Sequence, residues 1–367
     1  MKRREAIQLF TAAAAATALS GPTFAQSEKV GQKLRVLILG GTGFLGPHFV
    51  EALQAGGHTV TLFNRGKSNP GLFTHLETLI GDRDGKLDAL KGRDWDVVID
   101  DSGYVPRHVK LTADLLKDHV RQYIFVSSIS VYGEFPKPGL NEDDKVATPP
   151  DAKVEEVTGA TYPGLKAGCE QVVESTYGSR STIVRPHYVV GPGDSTDRFT
   201  YWVARVARGG QVLAPGSAND PLQYIDVRDL AAFVRRCAEQ RPPGRFNACT
   251  PPGAHTMGEL METGKRVSGS NATFAWADAA FIQSNGLMEK GEIPIWLPPT
   301  GPLAGALLVS SARAVQQGLR FRSLDTTVRD TLDWYNKRPA DQRRKLEAGL
   351  TPEREAELLK KLAAKQG

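Results

Sequence analysis

The chain has 367 residues, of which 40% are hydrophobic and 24% charged, enough for one large α/β domain or two closely packed ones. Its net charge of +5 comes from scattered basic residues and not from one basic block, so we expect no nucleic-acid partner.

The first 25 residues have the pattern of an export signal. Lys2, Arg3 and Arg4 precede an alanine-rich apolar segment over residues 6–19, and residues 23–25 resemble a small-x-small cleavage site. The apolar segment is shorter than the ~20 residues that a membrane-spanning helix needs. We predict a twin-arginine signal cut after residue 25 and a periplasmic protein with no membrane span. An uncleaved N-terminal helix is the alternative.

Residues 35–46, RVLILGGTGFLG, open the first β-α unit with an apolar run typical of a strand buried on both faces. Gly40 allows a tight turn, Gly43 lets the backbone approach a pyrophosphate, and Gly46 lets the following helix pack closely on the strand. The phosphates would lie at the N-terminus of that helix. A glycine-rich turn without a ligand is the alternative, but the flanking strand and helix favour dinucleotide binding.

Alternating strands and helices continue from there. Further strands are predicted at residues 58–63, 78–80, 97–99 and 123–126, with a helix over 107–117. Short turns between them imply right-handed crossovers, so residues 33–186 are predicted to form a doubly wound Rossmann parallel sheet, an α/β fold. Residues 187–336 are predicted to form a smaller substrate-binding subdomain that returns strands to the sheet. Residues 337–367 are interpreted as a charged helical tail at the surface or at a subunit contact.

The end of the second strand bears on the choice of cofactor. Asn64, Arg65 and Lys67 stand where an acidic residue would accept hydrogen bonds from the ribose 2′-hydroxyl of NAD. Basic side chains suit a 2′-phosphate instead, and we therefore favour NADP over NAD. A solvated basic turn is the alternative.

A tyrosine and a lysine provide the candidate acid–base chemistry. Tyr162 and Lys166 lie one turn apart on one face of a predicted helix. Tyrosine has a pKa of about 10, which a nearby ammonium and a bound nicotinamide cation would lower. Ser128 follows the strand at 123–126, where its hydroxyl could orient a substrate oxygen. The spacing alone is common, but after a glycine loop and a serine-ended strand it indicates a catalytic site.

Together these motifs resemble the extended short-chain dehydrogenase/reductase family, in its NAD-dependent epimerase/dehydratase branch. The resemblance covers residues 34–334 and includes Gly81-Asp82, the VSSISVYG segment at 126–133, Arg185-Pro186, Gly191-Pro192 and YIDVRDL at 224–230. It implies that Ser128 and Tyr162 are catalytic, and that Lys166 binds the cofactor ribose and lowers the pKa of Tyr162.

The resemblance also implies further cofactor contacts. Phe44 and Leu45 would contact the pyrophosphate through their backbone, Asp82 would meet the adenine amino group, and Pro186 would border the cofactor. It suggests a homodimer through the helix of Tyr162 and the helix over 107–117.

Two departures point away from nucleotide sugars. Tyr188 stands where nucleotide-sugar members usually have an asparagine, and Leu222 where they often have an arginine that holds the diphosphate. Strand four ends in Asp100 and Asp101, whose carboxylates could hold sugar hydroxyls; a solvated loop or helix cap is an equal alternative.

The second half of the chain supplies the remaining candidates for substrate contact, which are His187, Tyr188, Arg198 and Tyr201. A hydrogen-bonded buried histidine and a core tyrosine are the alternatives for His187 and Tyr201. The cysteines have no metal-ligand spacing, so we expect no metal site and buried free thiols. A disulfide between Cys237 and Cys249 is left open for an exported chain.

The sequence therefore predicts an NAD(P)-dependent oxidoreductase or epimerase. We favour redox-neutral epimerisation of a non-nucleotide carbohydrate with a tightly held cofactor, because free cofactor and nucleotide sugars have no dependable pool outside the cytoplasmic membrane. A plain NADP-dependent sugar or alcohol dehydrogenase, or a carbonyl reductase, is the alternative. A Rossmann protein that binds RNA or senses NADP without turnover is another class; chloroplast stem-loop RNA-binding proteins share the look of LILGGT and VTLFNRGK.

Overall fold

The computed structural model describes residues 32–151 and 153–366, so the predicted export signal lies outside the described residues. The strands are β1 (Arg35–Leu39), β2 (Thr59–Asn64), β3 (Glu77–Ile80), β4 (Trp95–Asp100), β5 (Val120–Val126), β6 (Ser181–Pro186), β7 (Val189–Val190), β8 (Gln211–Pro215), β9 (Pro221–Leu222), β10 (Ile225–Asp226), β11 (Gly244–Ala248), β12 (His255–Thr256) and β13 (Thr273–Ala277).

The helices are α1 (Leu45–Ala55), α2 (Pro106–Leu116), α3 (Tyr162–Tyr177), α4 (Arg198–Ala207), α5 (Val227–Gln240), α6 (Met257–Ser268), α7 (Ala279–Ser284), α8 (Ala312–Gln316), α9 (Leu324–Lys337), α10 (Ala340–Arg344) and α11 (Pro352–Gln366).

One seven-stranded parallel sheet organises the chain, in the order β11-β6-β5-β4-β1-β2-β3. The order reverses between β1 and β4, where Leu39 pairs with Asp100 while Leu39 also pairs with Phe63 on the other side. In such sheets the crevice outside the carboxyl ends of the strands, at the point of reversal, is where ligands bind. The predicted doubly wound Rossmann sheet is confirmed.

Each face of this sheet is covered by a pair of helices. On one face α1 and α5 bury Phe49, Val50 and Phe233 against the strands. On the other face α2 and α3 bury Val109 and Val173. Because both faces are covered, the strands carry nearly unbroken apolar runs, as RVLIL in β1 shows.

Residues from 187 onward build a second core. Helices α4, α6 and α9 pack around Phe199 and Trp202, and β8 pairs in parallel with β13 beside them. The chain also returns to the main sheet, because β11 forms its edge next to β6.

The charged C-terminal tail belongs to this second core, and the interpretation of it as a surface or subunit-contact helix is therefore wrong for its inner face. Leu358 and Leu362 of α11 are buried there. Glu355 accepts from Arg205 Nε at 2.6 and 2.8 Å, and both side chains are buried. The tail thus braces α4, the helix whose first residue faces the cleft described below.

All three cysteines are buried and free, so the disulfide left open between Cys237 and Cys249 is not formed. The two thiols lie in different apolar clusters, Cys237 with the α1–α5 layer and Cys249 beside Val309. Among residues 32–151 and 153–366, no helix combines the length and the hydropathy that a membrane crossing requires.

Candidate active site

A cleft of about 910 Å³ opens at the carboxyl ends of β1, β2, β4 and β5. It brings together most of the predicted cofactor residues and all three predicted catalytic residues. The predicted residues on its wall are Gly40, Gly43, Phe44, Leu45, Asn64, Arg65, Lys67, Asp82, Asp101, Ser128, Tyr162, Lys166, Pro186, His187, Tyr188 and Arg198.

The three glycines of the loop that were predicted to serve the cofactor have three different environments. A Cβ on Gly40 would lie 1.8 Å from Asp101 Oδ1, and its φ of +121° is a conformation that other residues avoid. A Cβ on Gly46 would lie 2.2 Å from the Gly41 carbonyl carbon, so α1 packs directly on the loop. A Cβ on Gly43 would meet nothing within 4 Å. Gly43 is therefore the position where the loop leaves room for a ligand.

This loop fits a dinucleotide pyrophosphate. The first turn of α1 contains no acidic residue, so no side chain of that turn neutralises the partial positive charge of the helix N-terminus. Gly43, Phe44 and Leu45 border the cleft at that end of the helix. A phosphate group could approach the backbone of Gly43 without meeting a Cβ.

The side chains at the end of β2 and β3 form the distal part of the cleft. Arg65 and Lys67 border it, and a smaller adjoining pocket is lined by the same two residues with Asp82. Asn64 is occupied by the backbone, since it donates to the Gly40 carbonyl at 3.3 Å and accepts from Gly66 N–H at 2.8 Å. Two basic side chains and one carboxylate thus remain to face the adenosine end of a dinucleotide.

The catalytic candidates meet at the proximal part of the cleft. Tyr162 is the first residue of α3, and Lys166 follows one turn later. Ser128 caps the short turn after β5, where its Oγ accepts from Ser130 N–H at 3.1 Å. Helix α3 packs closely against α2 at Gly168, where a Cβ would lie 2.8 Å from Pro106 at the start of α2.

Lys166 is buried and held in place by the backbone. Its Nζ donates to the Gly103 carbonyl at 2.9 Å and the Val126 carbonyl at 2.8 Å, and lies 4.4 Å from the centre of the Phe125 ring. Burial lowers the pKa of Lys166. An ammonium has three protons, so one remains to bind a ligand in the cleft.

Burial raises the pKa of Tyr162, while the neighbouring Ser128 hydroxyl and the Arg198 guanidinium act in the opposite direction. Lowering of this pKa by Lys166 stays a prediction for the cofactor-bound state. A second tyrosine lies beside the first: the rings of Tyr104 and Tyr162 are 6.4 Å apart. Tyr104 is half-exposed at the mouth of the cleft.

The two aspartates at the carboxyl end of β4 have separate roles, and the prediction of Asp100 as a substrate residue is wrong. Its buried carboxylate accepts from Arg83 at 2.6 and 2.7 Å and from the Tyr123 hydroxyl at 2.7 Å, below the cleft. Asp101 does line the cleft and accepts from Gly41 N–H at 3.3 Å. Its burial and the adjacent Asp100 raise the pKa of Asp101 to about 7.

Two other predicted substrate residues, Tyr201 and His187, are held by contacts within the protein. Tyr201 is buried in the second core, where a Cβ on Gly349 of the tail would touch its ring, so it does not reach the cleft. His187 borders the cleft, but its Nδ1 accepts from Tyr188 N–H at 2.7 Å and its Nε2 donates to the Ala306 carbonyl at 2.8 Å. Burial lowers the pKa of His187 to about 4, which keeps the ring neutral.

Tyr188 and Arg198 also border the cleft. The guanidinium carbon of Arg198 lies 5.0 Å from the centre of the Tyr188 ring. Leu222 is fully buried beside His255 in the β9–β12 pair and does not face the cleft. Within residues 32–151 and 153–366 no group of three or more His, Cys, Asp or Glu side chains is arranged to hold a metal ion.

Sequence reasoning missed several wall residues, among them Tyr104, His108, Ser130, Phe135, Thr196, Leu297 and Ala306. Most lie in irregular segments, where no periodic pattern marks them. Near Ala306 the only signal in the sequence is a glycine, Gly305. The structure explains it, because a Cβ at Gly305 would lie 1.9 Å from the Lys137 carbonyl oxygen.

Comparisons with known proteins agree with this arrangement. Residues 36–249 match the model of the NAD dependent epimerase/dehydratase family. The chain is 30% identical to the chloroplast stem-loop binding protein of 41 kDa b of Arabidopsis thaliana, over 84% of this chain and 85% of that protein.

Solved structures share the fold. A UDP-glucose 4-epimerase superposes with a TM-score of 0.63 at 15% identity, over 83% of this chain and 98% of the other. The enzyme WbmG of Bordetella bronchiseptica, in complex with NAD and UDP, gives 0.62 at 16% identity over 84% and 96%.

The family match covers the glycine loop, the end of β5, the Tyr162–Lys166 helix and the strand at Arg185. It confirms the prediction of an NAD(P)-dependent enzyme of the epimerase/oxidoreductase type. The chain therefore belongs to the NAD-dependent epimerase/dehydratase family.

Proposed function

We propose that this protein catalyses redox-neutral epimerisation of a carbohydrate that carries no nucleotide, with a tightly held NAD(P). The observation that carries the proposal is the convergence of Ser128, Tyr162 and Lys166 on the wall of the cleft that begins at the Gly40–Gly46 loop. When bound, NAD(P) accepts a hydride from a carbinol carbon and returns it to a carbonyl carbon.

The chain's own residues supply the proton chemistry and the alignment. Tyr162 takes the proton from the substrate hydroxyl and gives it back to the carbonyl oxygen. Ser128 hydrogen-bonds the reacting oxygen both when it is a hydroxyl and when it is a carbonyl. Lys166 has one ammonium proton left after its two backbone bonds, which it would direct at a ribose hydroxyl. Inversion requires the keto sugar to turn within the site before its opposite face is reduced.

Two features favour a substrate without a nucleotide. Leu222 is buried and cannot hold a diphosphate, and Tyr188 presents a ring with a guanidinium stacked on it in place of an amide. The paired arginines at residues 3 and 4 favour export with the cofactor already bound, to a place without a dependable supply of nucleotide sugars. Cell fractionation of the wild type and of a variant with both arginines replaced by lysine tests the export.

The cofactor residues would be the glycine loop, with Arg65 and Lys67 toward the adenosine 2′ position. These basic side chains favour NADP.

Subunit pairing through α2 and α3 stays a prediction.

Incubation of cofactor-loaded protein with free sugars, glycosides and nucleotide sugars tests the function. We expect an epimer from a free sugar or glycoside, no net change in absorbance at 340 nm, and no product from Tyr162→Phe. Full turnover by Tyr162→Phe would remove the proposed acid–base, and conversion of nucleotide sugars only would refute the substrate class.

A second candidate function rests on the Arabidopsis relative, which is described as a stem-loop binding protein. A salt-sensitive affinity for stem-loop RNA, together with no cofactor-dependent product from any sugar, would favour that function. The alignment of three catalytic side chains in one cleft supports the enzyme.

A further inference from the structure

Arg198 is a charged residue on the cleft wall that the proposed reaction does not yet use. It is the first residue of α4, and the residue before it, Asp197, has a left-handed backbone with a φ of 55°. This turn at the helix start brings Arg198 to the same wall as Tyr162 and Tyr188.

The arginine is fixed from two sides. Its Nε donates to Thr196 Oγ1 at 2.9 Å, and that hydroxyl donates to the buried carboxylate of Asp194 at 2.6 Å. Its guanidinium lies over the Tyr188 ring. A stacked and tethered guanidinium has lost part of its side-chain freedom before any ligand arrives, so less entropy is lost on binding.

In the part of the chain that the structure describes, no carboxylate contacts the Arg198 guanidinium directly. The buried Asp194 carboxylate is separated from it by the Thr196 hydroxyl, and the charge of Arg198 acts to lower the pKa of Asp194. Among those described residues no carboxylate forms an ion pair with Arg198, and its two terminal nitrogens donate to no protein acceptor. The adjacent Asp197 pairs with Arg338 at 2.6 Å instead. Arg83, another arginine on the cleft wall, differs in this respect because Asp100 neutralises it at 2.6 Å.

Arg198 borders the same cleft as Tyr162, and its charge acts to lower the pKa of Tyr162. The N-terminus of α4 adds a partial positive charge on the same side. Two free nitrogens of one guanidinium match a carboxylate or a phosphate, which accept two parallel hydrogen bonds. A neutral sugar would leave this charge partly desolvated and unpaired, which is unfavourable.

We propose that Arg198 is the anion-binding residue of the substrate site and that the substrate is an acidic carbohydrate, with a carboxylate or a single phosphate group. This inference rests on the proposed function and names its substrate class. A guanidinium that only holds α4 on Tyr188 is the competing explanation, and the test separates the two.

Calorimetric titration of cofactor-loaded protein with matched sugar pairs is the test. The carboxylate arm compares glucuronate with glucose and galacturonate with galactose, and the phosphate arm compares glucose 6-phosphate with glucose. We expect at least one acidic sugar to bind ten or more times tighter than its neutral partner. The arm that shows the preference identifies the anion.

Variants locate the preference. Arg198→Gln should abolish it while leaving the cofactor affinity unchanged, and Arg198→Lys should retain part of it as a point charge. Tyr162→Phe should keep the full preference, because binding does not require proton transfer. Equal binding of acidic and neutral sugars by the wild type, or a preference that survives in Arg198→Gln, overturns the proposal.

If Arg198→Gln unfolds more easily, the wild-type titrations still show whether the site prefers acidic sugars. Failure of this inference can also be distinguished from failure of the proposed function. Selective binding of an acidic sugar without an epimer or an absorbance change would remove the proposed function and keep this inference. Epimerisation of neutral sugars without any acidic preference would do the reverse.

Discussion

Two glycines of the same loop, Gly43 and Gly46, should respond to alanine in opposite ways. A Cβ at Gly46 would lie 2.2 Å from the carbonyl carbon and 2.4 Å from the Cα of Gly41, and backbone atoms cannot rotate away. Overpacking of this kind costs about 1–3 kcal/mol. A Cβ at Gly43 meets nothing within 4 Å, so Gly43→Ala should be neutral or stabilising by up to about 1 kcal/mol.

Cofactor binding should show a separate pattern. The methyl group of Gly43→Ala would occupy the space where a pyrophosphate approaches the loop, so we expect NAD(P) affinity to fall at least tenfold with the Tm unchanged or higher. Gly46→Ala should lower the Tm by several degrees. Gly71→Ala is the matched control, since its Cβ also meets nothing within 4 Å and it lies outside the cleft.

Thermal unfolding and titration with NAD(P) measure the two effects independently. Wild-type affinity in Gly43→Ala would show that the dinucleotide does not approach this position. A wild-type Tm in Gly46→Ala would show that α1 is not packed on the loop as described.

Further predictions concern charge. Replacing Arg65 and Lys67 together by alanine should weaken NADP binding at least tenfold and NAD binding little; an equal loss for both refutes the 2′-phosphate role. Glu170→Gln removes the negative charge that pairs with the buried Arg185 at 2.7 Å, so denaturant unfolding should show a loss of about 3–5 kcal/mol, and a loss below about 1 kcal/mol would be inconsistent with that pairing. Asp101 has a folded-state pKa of about 7 against 3.8 ordinarily, so the folded state binds the proton more tightly and stability falls as pH rises from 4 to 7. Asp101→Asn should lose this fall and be the more stable protein at pH 8; parallel pH curves would count against the shift.

The glycine loop and the Tyr162–Lys166 pair could be predicted from sequence because their function depends on local spacing. One strand, one turn and one helix fix the positions of Gly40, Gly43 and Gly46, whatever the rest of the chain does. The same holds for two residues one helical turn apart.

The prediction that Asp100 holds the substrate was wrong because the role of Asp100 depends on a distant partner. Successive residues of a strand point to opposite faces, so only one of the two adjacent aspartates could face the cleft. The choice is made by Arg83, 17 residues earlier, which pairs with Asp100. No pattern around either aspartate shows which one has that partner.

Tyr201 and the tail were misjudged for a related reason. A tyrosine near a cleft suits sugar stacking, yet the tail covers the face of α4 that carries Tyr201. Leu350 lies in the same core cluster as Tyr201, and Glu355 pairs with Arg205, one turn further along α4. A charged helix with a single buried carboxylate looks like a surface helix until its arginine partner is placed beside it.

Isotope retention tests the central claim most directly. On the first carbohydrate that the cofactor-loaded protein converts, the inverted carbon is labelled with deuterium and the product is analysed by mass spectrometry and NMR. Redox-neutral epimerisation predicts that the epimer keeps its deuterium, with little exchange into solvent or added cofactor. Stoichiometric transfer of the label to added NADP, with an oxidised sugar and no epimer, would show a plain dehydrogenase and contradict the account.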